Sequence, residues 1–291
     1  MKYSIFTIII SLILLSAVST RSKMRTRNDA AKQYIPFARL PYCQSNIIKD
    51  QSCSICSELK QKGYEIKSLK TVTSDGININ MIVSTNPTET VISFGGPKST
   101  DVNYLQSIYT KGMSQIAILN NKSLETEFWN VYMEMRNELI NELKNNAGKK
   151  VVLVGHSFGG SLVHIAAYDI AVNKLANTPT VFTFGALKTG EKEFPQTVYQ
   201  LVPGFVRISY GYDYYSMLPR CVFWDGIEFR CYPNIINFVT AYPAYVGYYW
   251  GYNAMIRNQI RAIPNVHIPH TSVIADANQK GEVLNSEAHN E

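Results

Sequence analysis

The chain of 291 residues is 46% hydrophobic, 12% aromatic and 17% charged, which supplies a large packed core and excludes a disordered or low-complexity protein. Its formal net charge of +6 does not make a nucleic-acid surface. Arg21, Lys23, Arg25, Arg27 and Lys32 crowd one N-terminal stretch against Asp29 alone, so the rest of the chain is close to neutral and no basic face follows a phosphate backbone.

Residues 1–20 read as a secretory signal peptide. Lys2 gives a short positive start, residues 5–15 an apolar run too short to span a bilayer, and Ala17 and Ser19 a small-x-small cleavage pattern. The mature chain is therefore expected to be secreted. Residues 21–40 form a basic segment and a first helix, residues 41–276 one α/β domain, and residues 277–291 a polar tail. In an oxidising compartment the cysteines Cys43, Cys53, Cys56, Cys221 and Cys231 form disulfides, and the odd number leaves one over or paired between chains. Cys53-x-x-Cys56 admits a tight disulfide or a redox or metal role, but no further ligands stand near it, so no metal is expected. Asn121-Lys122-Ser123 is a glycosylation sequon.

In chain order, period-two apolar patterns predict strands over 77–84 and 89–94, the second stopping at Gly95-Gly96-Pro97. Leu124, Phe128, Tyr132, Met135, Leu139 and Leu143 recur at three and four residues and predict a helix over 125–144, with Ser123 as its cap. A buried strand over 150–155, a helix over 158–174 and a strand over 180–184 follow. Together they make a βαβ unit of a parallel sheet. The apolar run 205–210 ends just before Asp213.

The chemistry sits inside the βαβ unit, where Gly155-His156-Ser157-Phe158-Gly159 fits G-x-S-x-G between strand and helix. Glycines on both sides allow strand and helix to approach closely around a strained central residue. Ser157 is then an exposed nucleophile at a helix start, with the Phe158 amide free to stabilise an oxyanion. Its hydroxyl needs a base and an orienting carboxylate, in the usual order serine, acid, histidine. Asp213 is the expected acid, ahead of Asp225. His164 lies on the same helix as Ser157 and cannot fold back to it, so it is a core or surface histidine. His270 is the expected base, because Val273 and Ile274 can anchor its loop, with His267 as rival and His289 in the polar tail.

These residues resemble the fungal-type class 3 lipases. Pro41-Tyr42-Cys43, the strand over 91–96, Leu124 to Phe128, Gly155 to Gly160, Thr183-Phe184-Gly185 with Gly190, and Asp213 with Leu218-Pro219 fall in that family's order. The resemblance implies an α/β-hydrolase-like fold, a mostly parallel central sheet flanked by helices, and hydrolysis of lipid esters at a lipid-water interface through a Ser157-His270-Asp213 triad and an acyl-enzyme. No cofactor and no stable protein partner are implied. A soluble carboxylesterase or a phospholipase would share every motif. Two features depart from the family. Its oxyanion loop ends on a residue that donates a backbone amide, whereas Gly95-Gly96-Pro97 ends on a proline without an N–H, so Lys98, or Ser99 with the loop shifted one residue further, is expected to supply the second oxyanion amide. The chain also lacks the family's ending, which keeps a catalytically weakened lipid-binding homologue as an alternative. A lid over 98–111, carrying Tyr104, Leu105, Ile108 and Tyr109, is implied by position. Tyr242, Tyr245, Tyr248, Tyr249, Trp250 and Tyr252 suit either a lipid-water boundary or internal packing.

Overall fold

The computed structural model describes residues 30–97, 104, 108, 111–190 and 193–208, with the backbone of two short strands at 222–224 and 227–229. Asp213, Asp225, His267, His270, His289, Lys98, Cys221 and Cys231 lie outside the described residues, as do the N-terminal 29 residues and the tyrosine-rich stretch.

The chain starts with short helical pieces: α1 (Ile35–Arg39), a 3-10 turn (Leu40–Tyr42), α2 (Ser45–Lys49) and α3 (Ser54–Gln61). Strand β1 (Glu65–Ser74) turns into β2 (Ile77–Thr85) through Asp75 and Gly76, both at positive φ (48° and 78°), the geometry a two-residue hairpin with matching twist requires. After β3 (Glu89–Phe94) come a small hairpin of β4 (Met113–Ile116) and β5 (Lys122–Glu125), helix α4 (Thr126–Asn145), β6 (Lys150–His156), α5 (Phe158–Val172), β7 (Thr180–Phe184), α6 (Glu193–Leu201) and β8 (Phe205–Ile208). A last hairpin pairs β9 (Val222–Trp224) with β10 (Ile227–Phe229), inside the segment that Cys221 and Cys231 bracket.

The main sheet has the order β1-β2-β3-β6-β7-β8. Its first two pairings are antiparallel and the remaining three parallel, so the expected mostly parallel sheet is what forms. Along the parallel strands both faces are buried, and successive side chains serve opposite layers. Val151 and Leu153 enter the core beneath α4 and α5, whereas Val152 and Val154 enter the core closed by α1, α2 and α3. This double burial explains why β6 reads as an unbroken apolar run from Val151 to Val154. Helix α5 is buried from Phe158 to Ile170, as expected of a helix enclosed on all sides rather than amphipathic.

One local expectation changes. Ser123 does not cap α4. It belongs to β5, paired with Gln115, and Glu125 holds the cap position without a side-chain bond. Asn121 sits at φ 56° in the exposed turn before β5. Cys53 and Cys56 form a disulfide with an S–S distance of 2.03 Å, and Cys53 caps α3, its Sγ accepting the Cys56 amide at 2.9 Å. The motif opens α3, which follows helix α2 and not a strand, and both cysteines are buried. Among the described residues no helix is long and apolar enough to cross a membrane.

Candidate active site

Strand β6 delivers the chain to Ser157, and α5 begins at the next residue. Ser157 takes φ 55° and ψ −124°, a conformation that side-chain-bearing residues rarely adopt and that persists where the surroundings enforce it. They do so on both sides. The Ser157 amide donates to the Phe184 carbonyl at 2.9 Å, and the Ser157 carbonyl accepts from the Gly160 amide at 2.9 Å. Close approach makes the flanking glycines necessary. A Cβ on Gly155 would strike the Gly159 carbonyl, and a Cβ on Gly159 would strike the carbonyl of Phe94 at the end of β3.

Contrary to the expected exposure, Ser157 is fully buried. Its Oγ has no hydrogen-bond partner among the described residues. Such an unpaired buried hydroxyl is a costly arrangement with a natural reading at a reactive centre.

The helix start provides the anion-binding element, since the Phe158 amide has no helical carbonyl to bond. The Phe158 side chain is locked by Phe128 at 4.8 Å and Tyr104 at 5.9 Å between ring centroids, which fixes the amide direction. Gly96 lies directly against it: a Cβ added there would be 3.2 Å from the Phe158 nitrogen and 3.3 Å from the Tyr42 hydroxyl. The absence of a side chain at Gly96 therefore leaves open the space beside the Phe158 amide. The Gly96 amide is itself engaged, hydrogen-bonded to the buried Tyr42 hydroxyl. Pro97 has no N–H to give, and Lys98, expected to carry the second amide, lies outside the described residues.

His164 proves to be a core histidine. Its Nδ1 lies 2.8 Å from the Gly160 carbonyl, the Phe205 ring packs at 4.6 Å, and burial, aided by the charge of Arg207, pushes its pKa down to about 3. Two buried carboxylates, Asp169 and Glu127, are committed elsewhere. Asp169 accepts from Arg136 at 2.7 Å, Tyr132 at 2.5 Å and Asn173 at 2.6 Å, which ties α4 to α5. Glu127 accepts from Lys111 at 2.7 Å, from Tyr104 at 2.6 Å and from Ser74. Burial alone would raise the Glu127 pKa, but these donors hold it below the usual carboxylate value. Within the segment implied as a lid, Tyr104 and Ile108 are buried in the core that also holds Phe158. Among the described residues no group of three histidine, cysteine or acidic side chains is placed to hold a metal.

Sequence spacing gives no hint of the Tyr42 contact, which joins residues 114 apart: the Tyr42 hydroxyl is 2.7 Å from His156 Nδ1. Tyr42 enters the sequence reading only as part of a motif that resembles a family.

Comparison with known proteins places these features in context. Residues 118–223 match the model of the lipase (class 3) family. The fold is similar to that of lipase II from Rhizopus niveus, at 19% identity and a TM-score of 0.58 over 67% of this chain and 76% of that one. A mono- and diacylglycerol lipase from Aspergillus oryzae matches at 19% identity and a TM-score of 0.57, over 66% of this chain and 74% of that one. A triacylglycerol lipase with a serine protease triad as its catalytic centre matches at 21% identity and a TM-score of 0.56, again over 66% and 74%. No curated protein matches the chain. At these identities the structural likeness establishes the fold, that of the α/β hydrolases.

Proposed function

This chain being a class 3 lipase relative over residues 118–223, on an α/β-hydrolase fold, we propose that it is a secreted serine hydrolase that cleaves carboxylic esters of lipids. Ser157 attacks the acyl carbonyl, His270 takes its proton and returns it to the leaving alcohol, and Asp213 holds the imidazole in the required tautomer and stabilises its cation. The Phe158 amide and the Lys98 amide hold the tetrahedral oxyanion. Water then attacks the acyl-enzyme by the same route and releases the fatty acid.

The observation that carries this reading is the left-handed conformation of Ser157 between β6 and α5, next to an amide with no helical partner. A serine in a packing role has no need of it. Secretion is supported by the pattern of residues 1–20, and the lipid nature of the ester by the family of the matched segment. A second reading, a lipid-binding homologue with weakened turnover, is favoured by Pro97, which has no amide to give an oxyanion.

The decisive experiment is labelling of the secreted protein with a fluorophosphonate and mapping of the modified peptide, beside a panel of triglyceride, phospholipid and short-chain esters. Labelling confined to Ser157, abolished in Ser157→Ala together with ester hydrolysis, is the expected outcome. A Ser157→Ala protein that retains full hydrolysis overturns the mechanism, and a wild-type protein that binds lipid without reacting establishes the second reading.

A further inference from the structure

Tyr42 stands in the 3-10 turn that follows α1, far in sequence from both β3 and the elbow, and it is almost completely buried against both. Its ring meets the His156 ring edge-on at a centroid distance of 5.5 Å. Its hydroxyl accepts the Gly96 amide and lies 2.7 Å from His156 Nδ1, with the His156 carbonyl farther away at 3.4 Å. Which of the two groups donates in the shorter contact depends on the His156 tautomer. One oxygen therefore joins the turn that must supply the second oxyanion amide to the residue immediately before the nucleophile.

We propose that Tyr42 is a positioning residue for the ester hydrolysis inferred above, its hydroxyl fixing the turn after β3 against the elbow through Gly96 and His156. The inference rests on that hydrolase reading and deepens it. The geometry makes the role specific. Gly95 and Gly96 give this turn no side chain of its own with which to grip the elbow, and Pro97 removes an amide from it. A Cβ on Gly95 would come within 2.7 Å of the Pro41 Cβ, so the turn is seated directly on the residue before Tyr42. Asn80 fastens the same stretch from β2, its side-chain amide donating to the Pro41 carbonyl at 2.9 Å, while the Asn80 carbonyl receives the Gly95 amide at 2.8 Å. The 3-10 turn is thus a fixed support, and Tyr42 is the arm that reaches from it to the reacting end of the sheet. An oxyanion site needs its two donors held within about 0.5 Å of the productive geometry, and bonds of this kind provide that restraint.

The test compares wild type with Tyr42→Phe, His156→Leu and the double variant. The active fraction of each is counted by fluorophosphonate incorporation at Ser157, with thermal midpoints measured alongside. Tyr42→Phe keeps the ring and removes the hydroxyl, so the expected result is a tenfold to hundredfold loss of kcat per labelled site, KM within twofold of wild type, and a matching loss in the rate of labelling. The double variant is expected to be no slower than the worse single variant, because both changes cut the same connection. Rates per labelled site that stay at the wild-type value, with only the thermal midpoint lowered, would make Tyr42 a packing residue and overturn the inference. Independent, multiplying losses in the double variant would overturn the coupling through His156. A wild-type protein that takes up no label and cleaves no ester overturns the hydrolase reading itself, and the inference falls with it.

Discussion

The carbonyl oxygen of Phe94 occupies the place that a methyl group on Gly159 would need. Phe94 ends β3 and Gly159 lies in the first turn of α5, so this contact sets how closely the turn that bears Ser157 seats on the neighbouring strand. Backbone meets backbone there, and no flexible side chain can move aside. Gly159→Ala is therefore expected to destabilise the fold by about 3 kcal/mol or more, at the upper end of overpacking costs. Urea denaturation measures it. A loss under about 1 kcal/mol would show that strand and helix can separate cheaply.

Ser157 holds φ 55° with ψ −124°, a region glycine enters freely and serine does not. Ser157→Gly is expected to raise stability by about 1 kcal/mol, the relief of about 1–3 kcal/mol of strain set against about 0.5–1 of added chain entropy. The same variant loses all fluorophosphonate labelling. Calorimetry beside the labelling assay reads both effects, and an unchanged or lower midpoint would show that the turn stores no strain.

Much of this architecture is legible in the sequence, and the reasons are physical. The unit from β6 to β7 is visible because parallel strands buried on both faces must be continuously apolar, and because Gly155 and Gly159 mark where strand and helix touch. Helix α4 shows its core face at Phe128, Tyr132, Met135, Leu139 and Leu143. The first strand is not legible. Its side chains from Glu65 to Ser74 are mostly half-exposed on an edge, with an irregularity between Ile66 and Ser68 that breaks the alternation, although Asp75-Gly76 is a hairpin signal that marks its end. The strand β5 escapes for a different reason, since Lys122 to Glu125 is short and lies where a helix cap is the natural reading. Within the site, local pattern identifies Ser157 and Phe158. The joining of Tyr42, Gly96 and His156 depends on tertiary packing across the sheet and has no local signature.

The proposed oxyanion site turns on Lys98. Because Pro97 has no amide and the Gly96 amide is held by Tyr42, Lys98→Pro is expected to lower kcat by about 100-fold to 1000-fold, the usual effect of removing one oxyanion donor. Pro97→Ala, which adds an amide one residue earlier, is expected to leave kcat within a few-fold. Steady-state kinetics on a soluble ester distinguish the two. A large gain in Pro97→Ala with no loss in Lys98→Pro would move the donor to position 97.

The base is expected at position 270. A histidine delivered by a loop needs an apolar anchor to hold its ring against the nucleophile, and Val273 and Ile274 follow His270, whereas Pro269 restricts Ile268 just after His267 to extended backbone. His270→Ala should lower kcat by several orders of magnitude and His267→Ala should change it little. The reverse pattern transfers the role to His267. Near-normal activity in the double variant would require a base that is not a histidine.

The fold should also carry its own acid sensitivity, centred on His164 and separate from catalysis. Burial, reinforced by the charge of Arg207, holds the His164 pKa at about 3 in the folded chain, against an ordinary 6.5 when unfolded. A proton therefore binds the unfolded state more readily than the folded one. The neutral ring contributes its full stability above pH 6.5, and that contribution is lost as pH falls from 6.5 toward 3. In that window stability should fall by up to about 1.4 kcal/mol per pH unit from this group alone. His164→Gln keeps a donor toward the Gly160 carbonyl and cannot titrate, so its urea midpoint should vary less with pH between 6.5 and 4 than that of the wild type, even if it is lower at pH 8. Parallel pH profiles for the two proteins would mean that the acid sensitivity comes from other groups. Catalytic titration is measured separately on short-chain esters, because the base that follows Ser157 in the mechanism loses its function by gaining a proton while the fold is still intact.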